Sequence, residues 1–579
     1  MSKQVKIKVI LESAAKEYYL WSLEGKNLWE TLSSSGIDTG GSCGGNGTCG
    51  MCKIRVKGEV SLLSDTEREL LLPEEIKQGF RLACYCTIKG PLTVYPDYNY
   101  MDNNNRNQLD QWLENYRQDG EIHKHTFFIP GIDKYEPVPI YRRIAQALPD
   151  YKLELSINNL NELSMLDRAG RPSLELNALV FNNKVVKYVG REKQQAYGVA
   201  LDVGSTSLFA ALVDLQTGQT ITVASKANMQ RIYGADVISR INYCLENQDG
   251  LKTLHQVLIN NVNGIIEDLM LEAGISSEYI YRVCVVGNPI MLHLFTGLNV
   301  NGFGAAPYTG IFLDELLYRA ADLDIIANQD ASLLILPQIG GFIGADTIAC
   351  LLPIPETEAA KSYLLIDIGT NGEIVLNSKG NMWAASAAAG PAFEGGNITS
   401  GMRAEKGAID RIFLDEQGNL GYNILGDIPA RGICGSAIID IVACLFKAGY
   451  IDENGIITDQ GFEQLNIRDS KRGPEIIIVD SQDSLKGTPV VFNQEDIRQV
   501  QLAKGAIRTA IDILLKKAGI EYKDLKSIYL AGAFGSYLNP EHCIKIRLLP
   551  PVAIDKIKNT GNAAGKGAII ALLSETQQE

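Results

Sequence analysis

Apolar and polar positions change rhythm several times along the chain, and each change marks an element. From Met1 to Ile10 lysines alternate with apolar residues, and Val5, Ile7, Val9 and Leu11 share one face at a period of two, which predicts a strand. A helical stretch near Leu28 to Ser35 follows, then a loop dense in glycine and cysteine, a strand over Lys53 to Val56 and a closing strand over Leu92 to Tyr95. Strands, one helix and a cysteine loop on a small sheet predict a β-grasp arrangement for residues 1–96. Between Asp97 and His125 the apolar rhythm stops and Asn, Gln, Asp and Tyr take over, which predicts a polar linker over 97–125, with one short helix around Leu109 to Tyr116. Short apolar runs at 127–129, 153–157 and 179–181, separated by polar turns, predict a small α+β middle domain over 126–195 that discloses no chemistry. From Tyr197 buried-looking strands alternate with amphipathic helices, the signature of an α/β fold over 196–579. The clearest helix runs from Gln494 to Ala518, with Ile497, Val500, Ile507, Ile511 and Leu514 on one face, Asn493 as N-cap and Gly519 as the stop.

Composition sharpens this picture by exclusion. A length of 579 residues suits three to five domains at roughly 150 residues each. Apolar residues at 46% and charged residues at 21% exclude a disordered, collagen-like or coiled-coil chain. A formal charge of -14 argues against sequence-independent binding of nucleic acid or anionic membranes, so phosphate ligands need local sites. No apolar run approaches the roughly 18 residues of a membrane span, and no signal peptide is recognisable, so the expected location is cytoplasmic.

Of the eleven cysteines, Cys43, Cys49, Cys52, Cys84 and Cys86 fall in one short stretch. The other six, Cys244, Cys284, Cys350, Cys434, Cys444 and Cys543, sit in apolar segments as small hydrophobes. Cys43, Cys49, Cys52 and Cys84 have the spacing C-x5-C-x2-C-x31-C within and beyond the glycine-rich segment 40–52. Three thiolates on one loop and a fourth from a distant strand suit a 2Fe-2S cluster, with a first gap one residue longer than in plant-type ferredoxins. The glycines let backbone N–H groups approach the sulfurs. A four-cysteine zinc site is the competing reading, and zinc favours paired short C-x2-C gaps. Segment 40–52 and Arg81-Leu82-Ala83-Cys84 resemble the ferredoxin family, over about one sixth of the chain. Cys86, two residues past Cys84, would face the same way along a strand, and we expect it to be a spectator. Gly45 to Gly50 formally matches G-x-G-x-x-G but lacks the strand before and helix after that a dinucleotide site requires.

A second chemistry appears twice. Val199 to Ser207 and Leu364 to Glu373 each carry an apolar strand ending in an aspartate (Asp202, Asp367), a glycine turn with hydroxyl or amide neighbours, and a return strand. Such turns present N–H groups to phosphate oxygens, and an aspartate at the strand end can bind Mg2+ directly or through water. Two copies imply two similar halves, about 196–360 and 361–579, facing a cleft. Ile528 to Tyr537 reads as a strand and glycine turn entering a helix, where a flat adenosine can approach the backbone.

These three motifs, in this order, resemble the actin, hexokinase, acetate-kinase and heat-shock chaperone superfamily. With a 2Fe-2S domain in front, the chain resembles the reductive activators of corrinoid proteins. Segments 230–237, 286–289, 340–347, 389–396 and 561–565 strengthen the likeness, while Pro289 and Ala437 replace the Thr and Gly that the family pattern suggests. The resemblance implies an enzyme that hydrolyses ATP and transfers one electron to cob(II)amide, regenerating cob(I)amide for methyl transfer. It implies that Asp202 and Asp367 organise Mg2+ and water, and that Gly204, Ser205, Thr206, Gly369, Thr370 and Asn371 hold phosphates. Gly390, Gly532 and Gly535 would admit the nucleotide, and Glu373 or Glu394 would position the attacking water or cap a helix. Plant-type clusters lie near about -400 mV, whereas cob(II)amide resists reduction there, and a gap of a few hundred millivolts needs about 5 kcal/mol or more, which ATP can supply. No D-x-H-x-x-G corrinoid-carrier pattern occurs, so the cobalt is expected on a separate partner, the corrinoid protein of a methyltransferase system. An external low-potential donor would supply the electron, neither nucleic acid nor membrane is expected as a partner, and a homodimer is admitted. Competing readings are a redox activator of another low-potential enzyme and a redox-sensing nucleotide-binding regulator. His293 and His542 read as structural, without the neighbours a metal site needs.

Overall fold

The structure, a computed structural model, describes residues 3–573 apart from 12–15, 36, 38–51, 72, 96–121, 134, 136, 167–172, 182–184, 192–193, 235, 370, 403, 405, 416, 471–472, 486 and 536. Cys43, Cys49, Thr370, the 45–50 decoy and the short helix expected around 109–116 lie outside the described residues.

The N-terminal sheet is ordered β2-β1-β5-β3-β4, from β1 (Gln4–Leu11), β2 (Lys16–Leu23), β3 (Lys53–Val60), β4 (Phe80–Leu82) and β5 (Ile88–Tyr95). β1 pairs antiparallel with β2 and parallel with β5, and helix Leu28–Ser34 supplies the β-grasp. The alternation read from the sequence buries Val5, Ile7 and Val9 against Leu28, Leu32 and Val94.

The strand β6 (Ile122–Pro130) begins inside the predicted linker. It joins β7 (Lys152–Leu153), β8 (Ser173–Phe181) and β9 (Val185–Gly190) in a sheet ordered β6-β8-β9-β7, flanked by helices Ile140–Ala147 and Ile157–Leu166. This is the small α+β unit expected. Its Ile122, Leu179 and Phe181 join the core of the following domain, and the Phe181 ring lies 5.7 Å from that of Tyr281.

Two further sheets repeat one topology. The first uses β10 (Tyr197–Val203), β11 (Ser207–Asp214), β12 (Thr220–Ala227), β13 (Ile280–Gly287), β14 (Leu316–Arg319) and β15 (Ser332–Ile335), ordered β12-β11-β10-β13-β15-β14. The second uses β16 (Tyr363–Ile368), β17 (Gly372–Ser378), β18 (Asn381–Ala387), β19 (Ser527–Ala531) and β20 (Ile557–Gly561), ordered β18-β17-β16-β19-β20. In each, an antiparallel meander ends on a central strand whose other side accepts a parallel strand. Helix Gln494–Ala518 matches its sequence reading at both ends: Asn493 and Asp496 form a capping box and Gly519 takes φ 67°.

The halves interlock. Helix Ala563–Leu573, although last in sequence, packs on β10 and β13 of the first half and on helix Ala345–Leu351. A Cβ at Gly567 would stand 1.9 Å from the Ala349 carbonyl oxygen, so only glycine allows that approach.

Candidate functional site

The two phosphate hairpins fall at corresponding places in the two sheets. Gly204-Ser205-Thr206 joins β10 to β11, and residues 369–371 join β16 to β17. A Cβ at Gly204 would meet the Ser207 carbonyl oxygen at 2.5 Å. The first turn is held from behind. Asn228 donates its backbone N–H to Thr206 O (2.9 Å) and its Nδ2 to Gly204 O (2.9 Å), while Arg240 Nη2 donates to Ser205 O (2.5 Å). These bonds tie the turn's carbonyls to Asn228 and Arg240. Arg240 is fully buried, and burial, only partly offset by Asp236, pulls its guanidinium down to about 10.

Asp202 and Asp367 close their strands at these turns, both half-buried. Register places Asp367 directly across from Glu373, with Ala531 on its other side. Like charges opposite one another destabilise a sheet, so this pair marks a place where function outweighs stability. Burial, then Asp346 and Asp367, push Asp202 well above the carboxylate range, and the same three causes do so for Glu373. Burial and Asp367 lift Asp346 to about 7. Cys350 points its thiol at Asp367 Oδ2 (3.5 Å). The third motif arrives at the same place: Gly532 takes φ +88°, and a Cβ there would meet Asp367 Oδ1 at 2.6 Å. Gly535 is buried in the short turn behind it, and Gly390, at φ +73°, has open space where a Cβ would stand.

Thus Asp202, Asp346, Asp367 and Glu373 lie near enough to shift one another's titration, and Gly532 lies against Asp367; the predicted Gly204, Ser205 and Thr206 follow Asp202 in its turn, and Gly369 and Asn371 follow Asp367 in the other. Glu394 ends a 3-10 turn, half-buried, and is not among the principal causes of the shifts at Asp202, Asp346 or Glu373. Asp346 is the residue missed as a site candidate. In the sequence it is one residue of the segment 340–347, and its position in the first turn of helix Ala345–Leu351 depends on strand order that a local pattern does not carry. Among the described residues no three Cys, His, Asp or Glu side chains form a ready metal cage.

In the N-terminal domain the sulfurs of Cys52 and Cys84 lie 3.1 Å apart, and the Ala83 N–H donates to Cys52 O (2.8 Å). The separation is too long for a disulfide, at about 2.05 Å. It is shorter than the edge, about 3.8 Å, of a tetrahedron of sulfurs about 2.3 Å from one metal ion, so the two thiols face each other and would part by about 0.7 Å to bind a single iron together. One expectation needs correction: Cys84 and Cys86 do not share a strand. Residues Ala83–Tyr85 form a 3-10 turn that separates them; Cys86 is wholly buried in the core, where burial pushes its thiol up to about 12. Glu67, also missed, fixes this corner. It accepts from Arg81 Nε and Nη2 (both 2.8 Å), from the Ser64 N–H (2.9 Å) and from the Leu82 N–H (3.2 Å). Burial alone would raise its carboxyl, but these bonds hold it below the usual range. The signal was present as Ser64-x-x-Glu67, a capping-box pattern.

The histidines are structural. His293 hydrogen-bonds Pro289 O (2.7 Å) through Nδ1 and accepts from the Ile311 N–H (2.8 Å) at Nε2; Nδ1 of His542 meets Asp440 Oδ1 at 2.6 Å. Pro289 is harmless where it stands, at the first position of helix Pro289–Thr296, and Ala437 is buried inside helix Gly435–Ala448.

A β-grasp domain presenting paired cysteine sulfurs, joined to two homologous sheets with a double phosphate hairpin, defines the class: a ferredoxin domain fused to an actin-like ATPase fold. Known proteins bear this out. Residues 22–89 match the 2Fe-2S iron-sulfur cluster binding domain, 197–354 the RACo middle region and 361–579 the C-terminal ASKHA domain of RACo. The corrinoid activation enzyme RamQ of Eubacterium limosum is 30% identical over 95% of this chain and 90% of its own. A reductase of the methylated amine-specific Co(II) corrinoid protein from Methanosarcina barkeri is 28% identical over 64% of this chain and 68% of its own. The solved structure of a reductive activator for a corrinoid, iron-sulfur protein superposes with a TM-score of 0.71 at 30% identity, covering 99% of this chain and 93% of the other. The chain belongs to the family of reductive activators of corrinoid proteins.

Proposed function

We propose that the chain uses ATP to reduce the cobalt of a separate corrinoid protein from cob(II)amide to cob(I)amide, one electron at a time. One observation carries this reading: a cysteine pair fit for a cluster and a twin-hairpin cleft fit for a nucleotide occur in one chain that aligns nearly end to end with a corrinoid activation enzyme. Cys43, Cys49, Cys52 and Cys84 hold a 2Fe-2S cluster, which when bound supplies a one-electron donor; a low-potential external donor refills it. Gly204, Ser205, Thr206, Gly369, Thr370 and Asn371 hold the phosphates. Asp202 and Asp367 carry Mg2+ with its water, with Asp346 beside them. Gly390, Gly532 and Gly535 admit the nucleoside. Glu373 orients water toward the terminal phosphate, a role that its place opposite Asp367 supports better than Glu394's position does. No helix of the described residues is long and apolar enough to cross a membrane.

The test is anaerobic mixing of the cluster-loaded protein with a cob(II)amide protein, a low-potential reductant and Mg-ATP while the visible spectrum is recorded. The expected result is cob(I)amide that forms only with ATP. Formation equally fast and complete without ATP overturns the proposal.

A further inference from the structure

The segment Asn228 to Asp236 has two faces. One holds the first phosphate turn, through Asn228 to Gly204 and Thr206 and through Arg240 to Ser205; Arg240 also donates Nε to Gly234 O (3.1 Å) and Nη1 to Gln230 Oε1 (3.3 Å). Gln230 and Met229 are fixed in turn, by Gln230 Nε2 to Leu254 O (2.9 Å) and by the Met229 N–H to Asn261 Oδ1 (2.9 Å). The other face meets the ferredoxin domain. Helix Leu28–Ser34 lies against the turn Met229–Ile232, and the half-buried Ile232 packs onto the ferredoxin core together with Cys84 and Tyr85. The same helix lies against the turn that carries Cys84, and Asn27, at its start, donates Nδ2 to Cys84 O (2.8 Å). A single short segment therefore stands between the cysteine corner and the phosphate turn.

We infer that nucleotide binding at Gly204–Thr206 and docking of the ferredoxin domain on Met229–Ile232 are coupled through Asn228 and Arg240, and that bound nucleotide weakens the docking. The inference rests on the proposed function, because the electron must leave this chain for another polypeptide. The docked arrangement turns the helix beside Cys84 toward the chain's own ATPase fold, which suits carrying the electron and not delivering it. Phosphates drawn onto the turn pull on the backbone whose carbonyls the segment holds, and the segment's outer face is the seat of the ferredoxin domain. Linkage makes the effect reciprocal: whatever loosens docking must tighten nucleotide binding by the same factor. Asn228 and Arg240 act here as positioning residues.

The test uses the full-length, cluster-loaded protein and amide hydrogen exchange with and without Mg2+ and a non-hydrolysable ATP analogue. Nucleotide is expected to speed exchange in 28–34 by about 5-fold or more, while exchange in β1, which is paired on both sides within its sheet, stays unchanged. Two variants probe the reverse direction: Ile232→Glu, on the seat, and Glu30→Lys, an exposed residue on the ferredoxin side whose fold should be unaffected. Both are expected to bind the analogue about 5-fold more tightly. Asn228→Ala should abolish the nucleotide-dependent exchange in 28–34 even at saturating analogue. Analogue that binds but leaves exchange in 28–34 unmoved overturns the coupling while leaving cob(I)amide formation as an independent readout. Failure of any nucleotide to bind overturns both.

Discussion

Gly532 and Glu67 show how much a single position decides. Gly532 combines a left-handed backbone with contact against Asp367, so Gly532→Ala must move either the carboxylate or the turn. A non-glycine residue in that region costs about 1–2 kcal/mol, and the expected result is ATP binding weakened about tenfold in calorimetry, with the absorption of the cluster unchanged. Glu67 bears on stability and pH. Its carboxyl titrates lower in the folded than in the unfolded state, so its contribution is complete above the ordinary carboxylate range, near 4.5, and is lost as pH falls through the lower folded value. Glu67→Ala removes the buried carboxylate and leaves the half-buried Arg81 without its bidentate partner, and is expected to cost about 3 kcal/mol. Acid titration of the ferredoxin domain's melting should become flatter in that variant; an unchanged acid limb would contradict the assignment. At this scale the sequence was partly legible. Asp202 and Asp367 announce themselves beside glycine turns, whereas Asp346 becomes a neighbour only through tertiary packing, and Arg240 reaches the backbone carbonyls of Ser205 and Gly234, which no side-chain pattern encodes.

Among the elements, helix Gln494–Ala518 was read to the residue because its stop and start are local chemistry. Asn493 accepts from the Asp496 N–H (3.0 Å), Asp496 returns the bond to the Asn493 N–H (3.0 Å), and Asn493 Nδ2 also reaches Thr399 Oγ1 (2.8 Å). Asn493→Ala should cost about 1–2 kcal/mol, read as a lower urea midpoint for the second half with the first half's transition unchanged. The turn at Cys84 was misread as strand for the opposite reason. Alternation in Arg81 to Cys86 fits a strand, but β4 ends at Leu82, and the chain then tightens so that Cys84 faces Cys52 while Cys86 enters the core. Two cysteines two residues apart can thus have unrelated fates.

For the whole molecule, the twofold repeat was visible as two similar hairpins, and the shared strand order confirms it. What the linear text hid is the interlock, because a helix's amphipathic pattern says that it packs but not against what. Gly567→Ala tests that contact. With backbone oxygen in the path of the new methyl group, the helices Ala563–Leu573 and Ala345–Leu351 must separate, at about 1–3 kcal/mol, and the ATPase melting transition should fall while that of the ferredoxin domain holds.

The interlock also bears on how the protein is made. The sheet of β10 to β15 leaves the ribosome first, and the helix that covers β10 and β13 follows its final strand by about 230 residues. At about 5–20 residues per second, an apolar surface waits uncovered for tens of seconds, so the growing chain depends on chaperone shelter, and a product cut short before Gly561 is left with a permanently open face. Protease digestion of ribosome-stalled chains checks this: protection of the first half should arise only once the final helix has cleared the exit tunnel. Translation of a distant segment thus becomes the last step in folding a sheet made well before it.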